Sequence, residues 1–179
     1  VDVETWIIPG KGANFPRGYE MYKGGQLVAK AICNWALVDT VTGKLIASKD
    51  YDMGTYSMDE APELSIPRRF RIPKELKFQE VESSKVAMSM IDINMHMNNT
   101  VYASKLYDNI DDAEKYFITS INLRYVHEAP LGSEFKVYRS DAVDPGEMDY
   151  RAEKLIYFYT EADGMLNLEA AVGLKKVTI

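Results

Sequence analysis

The chain has one cysteine, Cys33, and two histidines, His96 and His127. A single thiol excludes an intramolecular disulfide and any multi-cysteine metal cluster. Two histidines argue against a His-rich zinc site, so neither a metal nor a cofactor is expected. Cys33 lies in the apolar run Ala31-Ile32-Cys33-Asn34-Trp35, where a buried, unreactive thiol is the default expectation. Basic charge is also in short supply, with 21 Lys and Arg against 27 Asp and Glu and a net charge of −6. That balance disfavours a general polyanion binder, so nucleic acid is not an expected partner. No apolar run approaches the roughly 18 residues of a membrane span, and no signal-like stretch opens the chain. The expected setting is cytoplasmic, without a membrane partner.

What is present is enough apolar side chain to build a core: 46% of the 179 residues are hydrophobic. The opening reads as strands. Val1-Asp2-Val3-Glu4-Thr5-Trp6 alternates apolar and polar residues, and Gly10, Gly12, Pro16 and Gly18 mark a turn-rich stretch after it. Further β-rich runs cover residues 18–23, 27–39 and 44–52, with Thr42-Gly43 suited to a hairpin between the last two. No amphipathic helix is evident before about residue 98. The segment Ser65-Ile66-Pro67-Arg68-Arg69-Phe70-Arg71-Ile72-Pro73-Lys74 reads as an extended interdomain connection within residues 61–78.

A second unit, residues 79–179, begins with alternating residues at 86–91 that predict a strand running into Asp92. Tyr102, Leu106, Ile110, Ala113 and Phe117 then fall at helical spacing, which predicts a buried helix over 99–116 capped by Asn98 or Asn99. β-rich runs come next at 119–127, 133–143, 149–160 and 165–178, divided by Gly132, Asp144-Pro145-Gly146 and Asp163-Gly164. The later runs repeat the order of features in residues 1–53. On that alignment Val1–Trp6 corresponds to 121–126, and Thr42-Gly43 corresponds to Asp163-Gly164. Residues 1–60 would then be the later strands of a first module whose opening strand and helix are absent. Periodicity alone supports an α+β layer fold.

The chemistry concentrates in Asp92-Ile93-Asn94-Met95-His96-Met97-Asn98-Asn99. In an extended chain Asp92, Asn94 and His96 share one side while Ile93, Met95 and Met97 face the other. A carboxylate, an amide and an imidazole on one wall suit attack on a carbonyl carbon. Helix amides at Asn98 and Asn99 suit a developing oxyanion. The alternative reading makes Asp92 and Asn94 turn or cap residues and His96 a satisfied core residue.

Continued through Tyr102, this segment resembles the Asp-x-Asn-x-His-x-Asn-Asn-x-x-Tyr pattern of the acyl-acyl carrier protein (acyl-ACP) thioesterases, bacterial and plant enzymes that release fatty acids during synthesis. Val3-Glu4-Thr5-Trp6, Trp35-Ala36-Leu37-Val38-Asp39 and Tyr125-Val126-His127-Glu128 resemble further strands of that family. The resemblance implies a double hotdog, each antiparallel sheet wrapped around a central helix. It implies catalysis by Asp92, Asn94, His96 and Glu128 on a fatty acyl thioester carried by acyl carrier protein. Many plant members have cysteine after the glutamate; Ala129 stands there, so no thiol mechanism is implied. Glu128 is expected to be a base with a pKa raised by partial burial. His127 is expected to be structural, and Tyr102 and Leu106 to pack the helix. The cluster Arg68, Arg69, Arg71, Lys74 and Lys77 is the candidate surface for the acidic carrier, with a solvated linker as the plainer reading. A homodimer is left open. The rival functions are an acyl-CoA thioesterase and a non-catalytic lipid-binding hotdog protein.

Overall fold

The computed structural model describes residues 1–52, 54–55 and 58–178, and divides into two compact units, Val1–Leu64 and Ser65–Ile179. The first unit is an antiparallel meander of β1 (Asp2–Ile7), β2 (Phe15–Lys23) and β3 (Gln26–Trp35). Gly24 and Gly25, both at positive φ, make the two-residue turn joining β2 to β3, a backbone that suits the twist of paired strands. Trp6 lies opposite Gly18, and a Cβ at that position would sit 2.6 Å from the indole ring, so glycine admits the ring across the pair. The indole N–H donates to the Glu60 carbonyl at 2.8 Å.

Three expectations for this unit need correction. Residues 44–52 form no strand: Val38 and Leu45 share one bridge across the Asp39–Gly43 turn, and Ser48–Asp50 is a 3-10 turn. The Asp39 carboxylate accepts the amides of Val41 and Thr42, a local bonding pattern that competes with strand extension. Cys33 is exposed on β3 rather than buried. The repeat also has a different frame. β1 pairs with β2, its neighbour in sequence, so β1–β2–β3 has the connectivity of the last three strands of the second unit, and Gly24-Gly25 is the counterpart of Asp163-Gly164.

The second unit is one helix against a five-stranded antiparallel sheet, the hotdog arrangement. Its strands are β4 (Phe78–Lys85), β5 (Tyr116–Tyr125), β6 (Glu134–Ser140), β7 (Lys154–Ala162) and β8 (Met165–Lys176), in the order β4-β6-β7-β8-β5. The helix α1 (Asn99–Asp108) buries Tyr102 and Leu106 among Phe135, Val137, Phe158, Leu168, Val172 and Leu174. Each such buried side chain contributes about 1.5–3 kcal/mol. The helix is shorter than its apolar spacing predicts. Asp108-Asn109 and Asp111-Asp112 are poor helix formers, and Asp112 adopts a left-handed conformation. Arg139 of β6 donates to the Asn109 carbonyl at 2.7 Å and clasps both Asp111 oxygens, holding the helix end from outside. Phe117, assigned to the helix by spacing, is an exposed residue of β5.

The opposite sheet face is also covered. Phe70 packs on Leu155, Tyr157 and Ala171, supported by Ile72, Leu76 and Phe78, while Asn122 donates to the Pro67 carbonyl at 2.9 Å. Residues 67–78 are therefore a strap bound along the sheet. No helix among the described residues is long and apolar enough to cross a membrane.

Candidate active site

The segment after β4 is built by turns rather than by a strand. Met88–Met90 is a 3-10 turn, which replaces the predicted strand at 86–91. The chain then makes a closed loop: the Asp92 amide donates to the His96 carbonyl, the Met95 amide donates to the Asp92 carbonyl, and Ile91 bridges Met97. The Asp92 carboxylate accepts the Asn94 amide at 2.8 Å, an Asx turn, and Met95 takes φ 65°. The expected alternation across 92–96 is thus absent, because a reversing chain has no two-residue period. Ile93 is 95% exposed at the loop tip, and Asn94 and Met95 are exposed beside it. Among the described residues no hydrogen bond joins the Asn94 side chain to His96 or Glu128.

The loop delivers His96. Met97 donates to the Ala129 carbonyl at 2.9 Å and His96 bridges Pro130, so residues 96–97 run beside 129–130. That pairing sets His96 Nε2 3.0 Å from Glu128 Oε2. The imidazole is 34% exposed and the carboxylate 71% exposed, so the pair opens to solvent. The partial burial expected of Glu128 is not found. Ala129 is fully buried behind the pair.

Helix α1 starts beside the loop. Asn98 is its N-cap, accepting the Thr100 amide at 2.9 Å and the Thr100 hydroxyl at 2.8 Å. The Val101 amide turns back to the Asn98 carbonyl, while the Asn98 amide donates to Met90. The Asn99 amide is the first helical N–H and has no partner among the described residues. Tyr125 donates its hydroxyl to the Asn99 carbonyl at 3.0 Å, tying β5 to this end of the helix.

Behind the pair lies a buried polar group that the sequence pattern did not single out, comprising Tyr102, Thr160 and Asn167. Burial pushes the Tyr102 phenol pKa up; its hydrogen bond with Asn167 opposes that rise, and the Glu128 charge adds to it. The signal available in sequence was an amide inside the apolar run Leu166-Asn167-Leu168. His127 meets this group through its main chain. The basic candidates Arg68, Arg69, Arg71, Lys74 and Lys77 are all exposed along the strap.

Residues 74–162 match the family of the acyl-ACP thioesterase C-terminal domain. Among solved structures, the chain is similar to an acyl-ACP thioesterase from Bacteroides thetaiotaomicron VPI-5482, with TM-score 0.77 and 21% identity over 97% of this chain and 68% of that one. It is also similar to the 12:0-ACP thioesterase from Umbellularia californica, with TM-score 0.68 and 19% identity over 98% of this chain and 67% of that one. No curated protein sequence matches it.

Proposed function

Because this chain belongs to the acyl-ACP thioesterase family, we propose that it hydrolyses the thioester joining a fatty acyl group to the phosphopantetheine arm of acyl carrier protein. The products are free fatty acid and thiol, a step of fatty acid biosynthesis expected in the cytoplasm. Residues 1–60 are read as later strands of a first hotdog module, 61–78 as the connection and 79–179 as the second, catalytic module.

The observation that carries this reading is the open His96–Glu128 pair at 3.0 Å. A carboxylate in contact with both water and an imidazole can act as general base. Glu128 takes a proton as the water oxygen bonds to the thioester carbon. The oxyanion forms against donors at the helix start, where the Asn99 amide is available, each well-placed donor being worth about 3 kcal/mol. The C–S bond then breaks, and the proton returns to the leaving sulfur through Glu128 or His96. Asp92 orients the loop, since one of its oxygens already accepts the Asn94 amide. Asn94 lies at the rim, where it can meet the substrate amides.

Replacing His96 or Glu128 by alanine is expected to lower kcat about 100-fold or more with the fold retained, and replacing Asp92 by alanine to do the same through loss of the loop. Near-normal turnover in all three would dismiss this site. Single turnover in oxygen-18 water is expected to leave the protein carboxylates unlabelled; label in Asp92 would instead mean direct attack through a mixed anhydride.

A further inference from the structure

We infer that Asn167 is the positioning residue of the site, acting through the backbone at His127 to fix where Glu128 stands; this rests on the catalytic reading of Glu128. β7 and β8 pair in register until Thr160↔Leu168, and the next pair is Glu161↔Leu166. Asn167 is the extra residue, a β-bulge. A bulge leaves its residue outside the ladder and re-aims its side chain. Here it turns the amide inward beside Leu168, and both residues are completely buried.

Every polar atom of that amide side chain is used. Oδ1 accepts the Thr160 hydroxyl at 2.7 Å, which fixes the amide so that its nitrogen points the other way. Nδ2 donates to the Tyr102 hydroxyl at 3.1 Å and to the His127 carbonyl. The Asn167 carbonyl, freed by the bulge, accepts the amides of Val126 at 2.9 Å and His127 at 3.2 Å. One residue therefore holds both peptide groups that flank His127, and the second of these leads directly into Glu128.

The chain needs this clamp because β5 ends at Tyr125, just before the segment that must present a carboxylate to His96. Beyond a strand end the ladder no longer fixes the backbone. The Asn167 clamp and the Met97–Ala129 bond together hold residues 126–129 from both sides of Glu128. Among the standard side chains only an amide of this length offers an acceptor to Thr160 and donors to both Tyr102 and His127. Aspartate would face the His127 carbonyl with another acceptor, and leucine would deprive the buried Thr160 and Tyr102 hydroxyls and the part-buried His127 carbonyl of their Asn167 partner.

The test is steady-state kinetics on carrier-bound acyl substrate with Asn167→Leu, Thr160→Val and Glu128→Gln, alone and combined, each first checked by circular dichroism and thermal unfolding. Asn167→Leu is expected to lower kcat 10- to 100-fold with KM changed less than about threefold, since displacement of a reacting group by about 1 Å suffices for that loss. Adding Glu128→Gln to Asn167→Leu is expected to cost far less than Glu128→Gln costs the parent, because the carboxylate is already misplaced. A structural role alone would leave the two losses multiplicative. If Asn167→Leu does not fold, Thr160→Val carries the test, with a several-fold loss of kcat and the same non-additivity. A folded variant with parental kcat, or fully multiplicative losses, overturns the role of Asn167. Near-normal turnover in Glu128→Gln alone would instead overturn the catalytic reading on which it rests.

Discussion

Asp149 is a carboxylate with no exposed surface, buried by the turn before β7. Burial by itself would raise its pKa. Hydrogen bonds from Ser120, Thr119 and the Arg151 amide, together with the Arg151 charge, hold it below the usual carboxylate range instead. Gly173 makes room for this arrangement, since a Cβ there would lie 2.6 Å from both the Asp149 carboxylate and the Ser120 hydroxyl. A carboxyl with a lowered folded-state pKa contributes stability above its unfolded pKa and loses it as pH falls through the folded one. Asp149→Asn is therefore expected to be less stable than the parent at neutral pH, by about 1–3 kcal/mol. The difference in urea midpoint should shrink as pH falls below about 4. A gap that stays constant across that range would contradict the charge-dependent account.

At the scale of elements, α1 is a ten-residue helix, too short to persist by its own propensity. It is held by the Asn98 cap at one end, by Arg139 at the other, and by Tyr102 and Leu106 along its buried stripe. Lys105 and Asn109 also reach Glu82 of β4, at 2.5 and 2.9 Å. Asn98→Ala is expected to cost about 1 kcal/mol in chemical denaturation. Because the same turn presents the Asn99 amide, kcat should fall with it. A stability loss with unchanged kcat would remove the helix start from the catalytic arrangement. The strap is the second element with more order than its proline content suggests. Phe70 and Ile72 turn toward the sheet, which leaves Arg69 and Arg71 outward.

For the whole molecule the relevant quantity is charge. A protein of net charge −6 needs a local basic surface to meet the acidic carrier of the proposed reaction, and the exposed strap residues Arg68, Arg69, Arg71, Lys74 and Lys77 are the proposed surface. Reversing Arg68, Arg69 and Arg71 to glutamate is expected to raise KM for carrier-bound substrate several-fold at low salt, with acyl-CoA hydrolysis little changed. An unchanged KM for the carrier-bound substrate would leave the strap as a structural cover alone.

The strands β1–β3 and β5–β8, the helix start at Asn98 and His96 as a candidate group were legible in the residues, whereas Glu128 entered only through the family resemblance. Alternation, a capping asparagine and the Asp163-Gly164 turn act over a few positions, and local sterics are enough to express them. The end of α1, the loop at 92–96 and the inward turn of Asn167 were not legible, because each is decided by a partner far along the chain. Arg139 meets the helix end, Ala129 aligns the loop, and Thr160 lies opposite the bulge. Sequence thus nominated the candidate groups for the proposed chemistry. Their meeting at 3.0 Å was decided only when residues 96 and 128 came together, a contact whose closure no local preference encodes.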